Sequence, residues 1–292
     1  MTATTRSSGP WLPRLVVAPS FLLSLLFIYG LMAWNGYLSM SASRILPNYD
    51  FVGLAQYQAL FDNERFRVAM VNLAIFGLLF IGGAMGVGVV LAVLLDQKVR
   101  GEGLLRTIYL YPMAISFIVT GTAWKWMLNP GLGLEHLMHQ WGFENFSFDW
   151  LINPDMAIYC VVIAGVWQSA GFVMALFLAA LRGIDDSIIK AAQVDGASLP
   201  RIYWSIILPS LRPVFFSTLL VVSHLAIKSF DLVMALTAGG PGFATDLPAT
   251  FMYAHAFTRG QIGLGAASAT VMLATVAAIV VPYLYSELRA KR

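Results

Sequence analysis

Charged residues are scarce in this chain. Only 11% of its 292 residues are Asp, Glu, Lys or Arg, whereas 59% are hydrophobic. Soluble domains carry about 25% charged residues, so this chain lacks the polar surface that a water-exposed globule needs. Its net charge of +3 is not gathered into the basic face of a nucleic-acid-binding protein. We therefore predict an integral membrane protein that is surrounded by lipid and does not bind nucleic acid.

Cysteine and catalytic motifs are scarce as well. The single cysteine, Cys160, lies in an apolar run, so no disulfide can form within the chain. The four histidines lack metal-ligand spacing, and the chain has no Gly-x-x-x-x-Gly-Lys-Ser/Thr phosphate-binding loop. His-Glu-x-x-His and Gly-x-Ser-x-Gly motifs are absent too. We predict a chain without an active site, metal or cofactor of its own, which disfavours an intramembrane enzyme.

Long hydrophobic runs are what the chain does have. They cover residues 15–40, 69–95, 104–128, 156–181, 213–237 and 261–285. Each run is long enough to cross about 30 Å of hydrocarbon as an α-helix. The first run resembles a signal peptide but exceeds the usual apolar core of about 7–15 residues, so we interpret it as a retained span. The prediction is a single all-α domain over residues 1–292 with six transmembrane helices.

The basic residues predict how these helices are oriented. Cytoplasmic loops carry an excess of Lys and Arg, and 12 of the 18 basic residues lie near the termini, over 98–106 or over 182–212. These twelve are Arg6, Arg14, Lys98, Arg100, Arg106, Arg182, Lys190, Arg201, Arg212, Arg289, Lys291 and Arg292. We therefore predict that both termini and the segment 182–212 are cytoplasmic.

The segment 182–212 is longer and more polar than a link between two membrane helices requires. Asp185 and Asp186 precede the stretch SIIKAAQV, where negative charge favours a helix start. Gly196 follows Asp195 and permits the left-handed residue that ends a helix. Small residues let another backbone approach closely, which favours docking on a partner. An amphipathic helix lying on lipid headgroups explains the same pattern equally well.

Several motifs carry a family resemblance. The stretch AAQVDGASLPRIYWSIILP at 191–209 resembles the signature loop of permease subunits in ATP-binding-cassette (ABC) importers. RTIYLYP at 106–112, KSFDLVMALTAGGPG at 228–242 and GLGAASA at 263–269 carry the same resemblance, so that it extends over nearly the whole chain. The chain resembles the carbohydrate-importer branch typified by the maltose and glycerol-phosphate systems. In detail it is similar to the glucose- or mannose-type permeases of Gram-negative bacteria.

The resemblance implies a type I ABC importer permease fold and a subunit that is not catalytic. The segment 182–212 is then a coupling loop that docks in a cleft of a cytoplasmic ATPase. The residues implied in this contact are Asp185, Asp186, Lys190, Ala191, Ala192, Asp195, Gly196 and Ala197. The family usually has Glu at the position of Lys190, so the ion pair expected of that Glu is reversed or absent here.

The resemblance also implies partners, a location and a substrate. The partners are a second homologous permease that completes a heterodimer, a dimer of ATP-binding subunits that binds ATP and Mg²⁺, and an extracytoplasmic sugar-binding protein. The binding protein is expected to dock near 43–66, 129–155 and 238–260, and the location is the bacterial inner membrane. The expected substrate is a monosaccharide such as glucose or mannose. A disaccharide, a polyol or glycerol phosphate is the alternative.

The fourth and fifth hydrophobic runs carry the positions at which the family contacts sugar. These positions are Gln168, Ser169, Phe172, Val222, Leu225, Ala226 and Ser229. His224, Lys228 and Asp231 follow at spacings of four and three, which places them on one face of a continuous helix. They line the translocation path, or Lys228 and Asp231 form a structural ion pair. We expect the glycines at 82, 83, 86 and 88 to serve close helix crossings.

An ion-coupled secondary carrier is the competing class of transporter. Such a carrier favours paired repeats with broken helices near the membrane centre, together with a carboxylate proton relay. This chain offers one acidic residue within a hydrophobic run for that role, Asp231. The sequence therefore favours a permease subunit driven by a separate ATPase.

Overall fold

The computed structural model describes residues 11–46, 48–97 and 99–290, without the side chains of 11–13, 286–288 and 290. Four of the basic residues used to predict orientation, Arg6, Lys98, Lys291 and Arg292, lie outside the described residues. Within them the chain is all-α, apart from one isolated antiparallel bridge between Ser41 and Phe51.

Most of the helices are joined by short connections, and the longer connections are 40–54, 141–156 and 237–247. The helices are α1 (Trp11–Ser24), α2 (Gly30–Ser39), α3 (Ala55–Asp62), α4 (Glu64–Asp96), α5 (Glu102–Ala114), α6 (Phe117–Met127), α7 (Leu134–Gln140), α8 (Ala157–Leu181), α9 (Asp186–Val194), α10 (Leu199–Ile202), α11 (Leu208–Ser210), α12 (Arg212–Ile227), α13 (Phe230–Leu236), α14 (Pro248–Tyr253) and α15 (Ile262–Ala290). Turns of π-helix cover Leu25–Tyr29, Tyr203–Ile207 and Ala254–Thr258.

Among the described residues, four stretches of helix are by themselves long and apolar enough to cross a membrane. They are Arg14–Ser39, Glu64–Asp96, Ala157–Leu181 and Ile262–Tyr285. Two further candidates are bent pairs: α5 with α6, bent by 100°, and Leu199–Ser210 with α12, bent by 67°. Counting each bent pair as one span gives six.

The first bend interrupts the hydrophobic run 104–128 at Ile115 and Ser116. Both residues have extended backbone, with ψ of 142° and 151°. The Ser116 hydroxyl accepts a hydrogen bond from the backbone N–H of Val119 (3.4 Å) and caps α6. Pro112, in the last turn of α5, lacks the N–H that a continuous helix uses. Hydropathy is continuous across this run, but the helix is not.

The hydrophobic run 213–237 is also interrupted. α12 ends at Ile227 and α13 begins at Phe230, because Lys228 and Ser229 depart from helical backbone geometry, with ψ of 8° and 47°. Residues before and after this break therefore do not follow one helical period.

Helices α4 and α8 form the centre of the molecule. A Cβ added at Gly83 would lie 2.7 Å from Val166 Cγ2, and one added at Gly88 would lie 2.5 Å from Val173 Cβ. These two glycines therefore let the helices approach closely. Gly82 and Gly86 have no atom within 4 Å of an added Cβ, so the expectation of a close crossing holds within this chain for two of the four glycines.

The two halves of the first bent pair pack on different neighbours. α5 lies against α8, where a Cβ at Gly171 would lie 1.8 Å from the Tyr109 carbonyl oxygen. α6 lies against α13, where a Cβ at Gly121 would lie 2.7 Å from Ala235 Cβ. Because of the 100° bend, the two halves of one hydrophobic run pack on different helices, α8 and α13.

The N-terminal span has little packing within this chain. None of its most apolar window is buried, whereas 61% of the corresponding window of α8 is. Near its end, Asn35 Nδ2 donates to the Ala266 carbonyl (3.3 Å) and to Thr270 Oγ1 (3.1 Å), which joins α2 to α15.

Candidate coupling hairpin and translocation path

Helix α9, the first helix of the 182–212 hairpin, begins with a carboxylate cap. Asp185 Oδ1 accepts a hydrogen bond from the backbone N–H of Ser187 (2.8 Å). This bond, with one from the Ser187 hydroxyl, holds the pKa of the Asp185 carboxyl below its ordinary value. Asp186, in the first turn, adds negative charge at the positive end of the helix dipole. The observed helix start is the one that the sequence predicts.

The end of α9 is a Schellman turn centred on Gly196. The Gly196 N–H donates to the Gln193 carbonyl (3.0 Å), and the Ala197 N–H donates to the Ala192 carbonyl (3.0 Å). Gly196 has φ +80°, the left-handed conformation that the sequence predicts. The turn reverses the chain, so that α9 and the following segment form a short hairpin.

The eight residues implied in ATPase contact divide between two faces of the hairpin. Those exposed are Asp185, Asp186, Lys190, Ala191, Asp195 and Gly196. Ala192 is buried and Ala197 is half-buried, and both pack against the hydrophobic core. Ala192 therefore packs on the inner face of the hairpin, and its contact with an ATPase stays a prediction.

The returning half of the hairpin is held against the membrane helices. Ile202 and Ile207 are buried in the main core. The Tyr203 hydroxyl donates to Asp96 Oδ2 (2.5 Å) at the end of α4 and accepts a hydrogen bond from Gln97 Nε2 (2.7 Å). The hairpin thus has one exposed helix and one anchored segment.

A second polar contact lies beside this anchor. Arg182, which follows α8, forms a salt bridge of 2.7 Å with Glu102 at the start of α5. Between the hairpin and the membrane helices lies a cleft of about 620 Å³, lined in part by Asp96, Glu102, Arg182 and Asp186. The hairpin is therefore joined to α4 by Tyr203, and Arg182 at its start is joined to α5.

Most residues predicted to contact sugar are buried within this chain. The buried ones are Gln168, Ser169, Val222, Ala226 and Ser229. Phe172 and Leu225 are half-buried, and His224 and Lys228 are exposed. Sugar contact by these residues stays a prediction. The side chains among them that are at least partly exposed are Phe172, Leu225, His224 and Lys228.

Gln168 has a structural partner. Its Nε2 donates to the Ile115 carbonyl (2.7 Å) at the bend between α5 and α6. This carbonyl belongs to a residue outside either helix, so a buried hydrogen bond to it is favourable. Gln168 Oε1 is buried without a hydrogen-bond partner among the described residues. Gln168 therefore stabilises the bend in this conformation.

His224, Lys228 and Asp231 are all exposed, but they do not share one helix. The break at Lys228 and Ser229 separates Asp231 from His224 and removes the spacing argument that placed all three residues on one face. The described residues form two salt bridges, and neither includes Lys228 or Asp231. The structural ion pair considered from the sequence is therefore not formed within this chain.

A polar network closes the opposite end of α4. Arg65 Nε donates to Asp246 Oδ2 (2.5 Å), and the Asp246 side chain is 1% exposed. Asn72 Nδ2 donates to the carbonyls of Phe243 (3.3 Å) and Asp246 (3.0 Å). The Arg65 guanidinium lies 4.5 Å from the centre of the Phe243 ring. These contacts fix the glycine-rich segment 237–247 on α4.

The sequence did not predict the contacts at either end of α4. Tyr203 and Asp96 are 107 positions apart, and Arg65 and Asp246 are 181 apart. No local sequence pattern can therefore indicate these two contacts. One signal was available: Asp96 closes a long apolar helix, where the helix dipole disfavours a carboxylate. A carboxylate in that position needs a partner from elsewhere in the chain.

Comparison with known proteins identifies the family. Residues 84–290 match the family described as binding-protein-dependent transport system inner membrane component. The chain belongs to this family, which confirms the resemblance inferred from its motifs. It is a membrane permease subunit of the ABC importer type.

Relatives are similar to this chain over nearly its whole length. A probable ABC transporter permease protein of Pyrococcus horikoshii is 39% identical, over 95% of this chain and 96% of the relative. A xylose/arabinose import permease protein of Haloferax volcanii is 35% identical, over 91% and 85%. An sn-glycerol-3-phosphate transport system permease protein of Agrobacterium fabrum is 31% identical, over 92% of each chain.

A solved structure shares the fold. The crystal structure of a bacterial ABC transporter involved in the import of the acidic polysaccharide alginate matches with a TM-score of 0.84 over 97% of this chain and 96% of that chain. Sequence identity is 21%, so the likeness concerns the fold. It confirms the predicted all-α importer permease fold.

Proposed function

We propose that this chain forms one half of the membrane pathway of an ABC importer for a sugar or sugar derivative. The observation that carries the proposal is the 182–212 hairpin. Its helix α9 is exposed along one face and ends in a Schellman turn, while its returning segment is hydrogen-bonded and packed against the membrane helices. An element exposed on one side and anchored on the other suits contact with a moving partner.

The partner at α9 is a separate ATP-binding subunit, which would bind ATP and Mg²⁺. Lys190 occupies the position at which the family usually has Glu. A cationic group of the ATPase therefore has no carboxylate to form an ion pair with at that position. We propose that Asp185 and Asp186 at one end of α9 and Asp195 at the other provide the polar contacts, because all three carboxylates are exposed.

One chain supplies one such hairpin, whereas ATP-binding subunits of this class work in pairs. The importer is therefore completed by a second homologous permease and a dimer of ATP-binding subunits. An extracytoplasmic binding protein would dock at 43–66, 129–155 and 238–260. In this arrangement both termini and the hairpin face the cytoplasm of a cell whose inner membrane holds the complex.

Two of the named relatives support the proposed substrate class. They are described for xylose and arabinose and for glycerol 3-phosphate, not for glucose or mannose. We therefore propose a pentose or a polyol phosphate in place of the hexose expected from the sequence. Phe172 and Leu225 would supply apolar contact to such a substrate, and His224 and Lys228 would supply polar groups.

The hairpin contact is tested by cysteine crosslinking in the assembled importer. Val194, at the end of α9, is 87% exposed, and the native Cys160 is fully buried, so the Val194→Cys thiol is the accessible one. We expect Val194→Cys to crosslink to the ATP-binding subunit. Leu132→Cys, at a residue 82% exposed between α6 and α7, is the control and should not crosslink. Absence of any ATPase adduct at position 194, with or without nucleotide, contradicts the proposed function.

The substrate class is tested by ATP hydrolysis of the complete importer in proteoliposomes. Candidate substrates are xylose, arabinose, glycerol 3-phosphate, glucose and mannose, each presented with the binding protein. We expect a pentose or glycerol 3-phosphate to stimulate hydrolysis more than either hexose. A response to glucose or mannose alone restores the first expectation. Uptake that stops with a proton uncoupler but not with vanadate supports the secondary carrier instead.

A further inference from the structure

Among the described residues, the hydrogen bonds between the hairpin and the end of α4 are made by Tyr203. The Tyr203 hydroxyl donates to Asp96 Oδ2 (2.5 Å) and accepts from Gln97 Nε2 (2.7 Å). A phenolic hydroxyl has one proton to donate and lone pairs to accept, so both capacities are used on α4 and its C-cap. Tyr203 is therefore hydrogen-bonded both to the last residue of α4 and to the C-cap residue that follows it.

Asp96 is costly for the helix that carries it. It is the final residue of α4, where the negative end of the helix dipole opposes a carboxylate. The opposing interaction is offset from outside the helix, by the Tyr203 hydroxyl and by the positive field of nearby Arg182, whose own pKa is raised in part by Asp96. The end of α4 therefore depends for its stability on the contact with the hairpin.

The remainder of the hairpin makes Tyr203 a direct continuation of α9. Ala192 in α9 and Ile202 beside Tyr203 are both buried in the same core. The Schellman turn at Gly196 joins the two segments through backbone hydrogen bonds. α9 is therefore connected to Tyr203 by packing and by backbone hydrogen bonds, and Tyr203 is bonded to α4.

We propose that Tyr203 is a positioning residue for transport: its hydrogen bonds to Asp96 and Gln97 carry the movement of α9 into α4. This inference rests on the proposed function, in which α9 contacts the ATP-binding subunit. It assigns the hydroxyl to the transmission of movement and not to assembly of the complex.

The principal test is Tyr203→Phe in the complete importer in proteoliposomes. The variant keeps the ring and removes the hydroxyl. We expect assembly and ATP hydrolysis to be retained, while radiolabelled xylose or glycerol 3-phosphate moved per ATP falls by about fivefold or more, the lower end of typical coupling between sites. Asp96→Leu should lower the same ratio, and the double variant should lower it no further. Tyr285→Phe, on an exposed ring of α15, is the control.

A distance measurement makes the test independent of the substrate. Spin labels at Leu199→Cys in the hairpin and Val90→Cys in α4, both at exposed residues, report whether the two elements move together. With Tyr203 present we expect one distance that is kept when ATP and vanadate are added. With Tyr203→Phe we expect the distance to change on the same addition.

Three results overturn the inference. They are an unchanged ratio and distance in Tyr203→Phe, a distance that already changes with Tyr203 present, and failure of Tyr203→Phe to assemble. The proposed function is tested separately by the crosslink at Val194→Cys in a chain that keeps Tyr203. If the proposed function is wrong, that crosslink does not form. A retained crosslink with an unchanged ratio therefore contradicts the role of Tyr203 alone.

Discussion

Replacement of Gly196 by valine is expected to abolish most transport while leaving membrane insertion intact. Gly196 has φ +80°, a conformation that costs an L-residue about 1–2 kcal/mol and is most unfavourable for a β-branched side chain. A cost of that size lowers the ratio of the turn to competing local conformations by about 5- to 30-fold. Because the turn orients α9 relative to its anchor, uptake per inserted complex should fall by up to a similar factor. Uptake by proteoliposomes, normalised to the amount of reconstituted subunit, measures it.

The matched control for this change is Gly196→Asn. A Cβ at position 196 meets no atom of this chain within 4 Å, so a clash inside the subunit cannot explain a loss. Asparagine tolerates the left-handed conformation better than other non-glycine residues, and we expect it to keep most uptake. Normal uptake by Gly196→Val shows that the turn is dispensable. If both variants lose uptake equally, the loss is due to the added side chain at the surface of the hairpin and not to the backbone conformation of residue 196.

Replacement of Gly88 by alanine is expected to destabilise the subunit by about 1–3 kcal/mol, the usual cost of overpacking a core. The added Cβ would lie 2.5 Å from Val173 Cβ and 2.8 Å from the Ala170 carbonyl oxygen. Relief requires α4 and α8 to separate along the centre of the molecule. The midpoint of thermal unfolding of the purified complex in detergent measures the effect.

Gly86→Ala, two residues away in the same helix, is the matched control. A Cβ there meets no atom of this chain within 4 Å, and alanine in a helix interior is favoured over glycine by about 0.5–1 kcal/mol. We therefore expect the two substitutions to have opposite signs, with Gly86→Ala neutral or stabilising. A lower unfolding midpoint for Gly86→Ala than for Gly88→Ala contradicts the α4–α8 geometry.

Much of the fold could be predicted because lipid imposes a strong length requirement on apolar helices. The runs at 69–95 and 156–181 correspond closely to α4 and α8. The run at 104–128 does not correspond to one helix, because hydropathy averages over a bend. Local signals for that bend were present in Pro112 and Ser116, but each has other interpretations when the neighbouring helices are unknown.

The features of the candidate site could likewise be predicted only in part from the sequence. Features of α9 that depend on adjacent residues, such as the Asp185 cap and the Gly196 turn, could be predicted from the sequence. The burial of Ala192 could not, because it depends on which face of α9 packs on the core. The Tyr203–Asp96 contact depends on tertiary structure alone.

The length of α4 has a consequence for the contacts at its ends. Arg65 and Asp96 are 31 positions apart in one uninterrupted helix, which is about 46 Å at 1.5 Å per residue. The acyl-chain layer is about 30 Å thick, and an average tilt of about 20° shortens the helix along the membrane normal only slightly. The two ends therefore reach the polar regions of opposite leaflets, although the Asp246 carboxylate that pairs with Arg65 is itself buried in the protein. Since hydrophobic mismatch is relieved by tilting, bilayer thickness becomes a physical variable that acts on both ends of this helix at once.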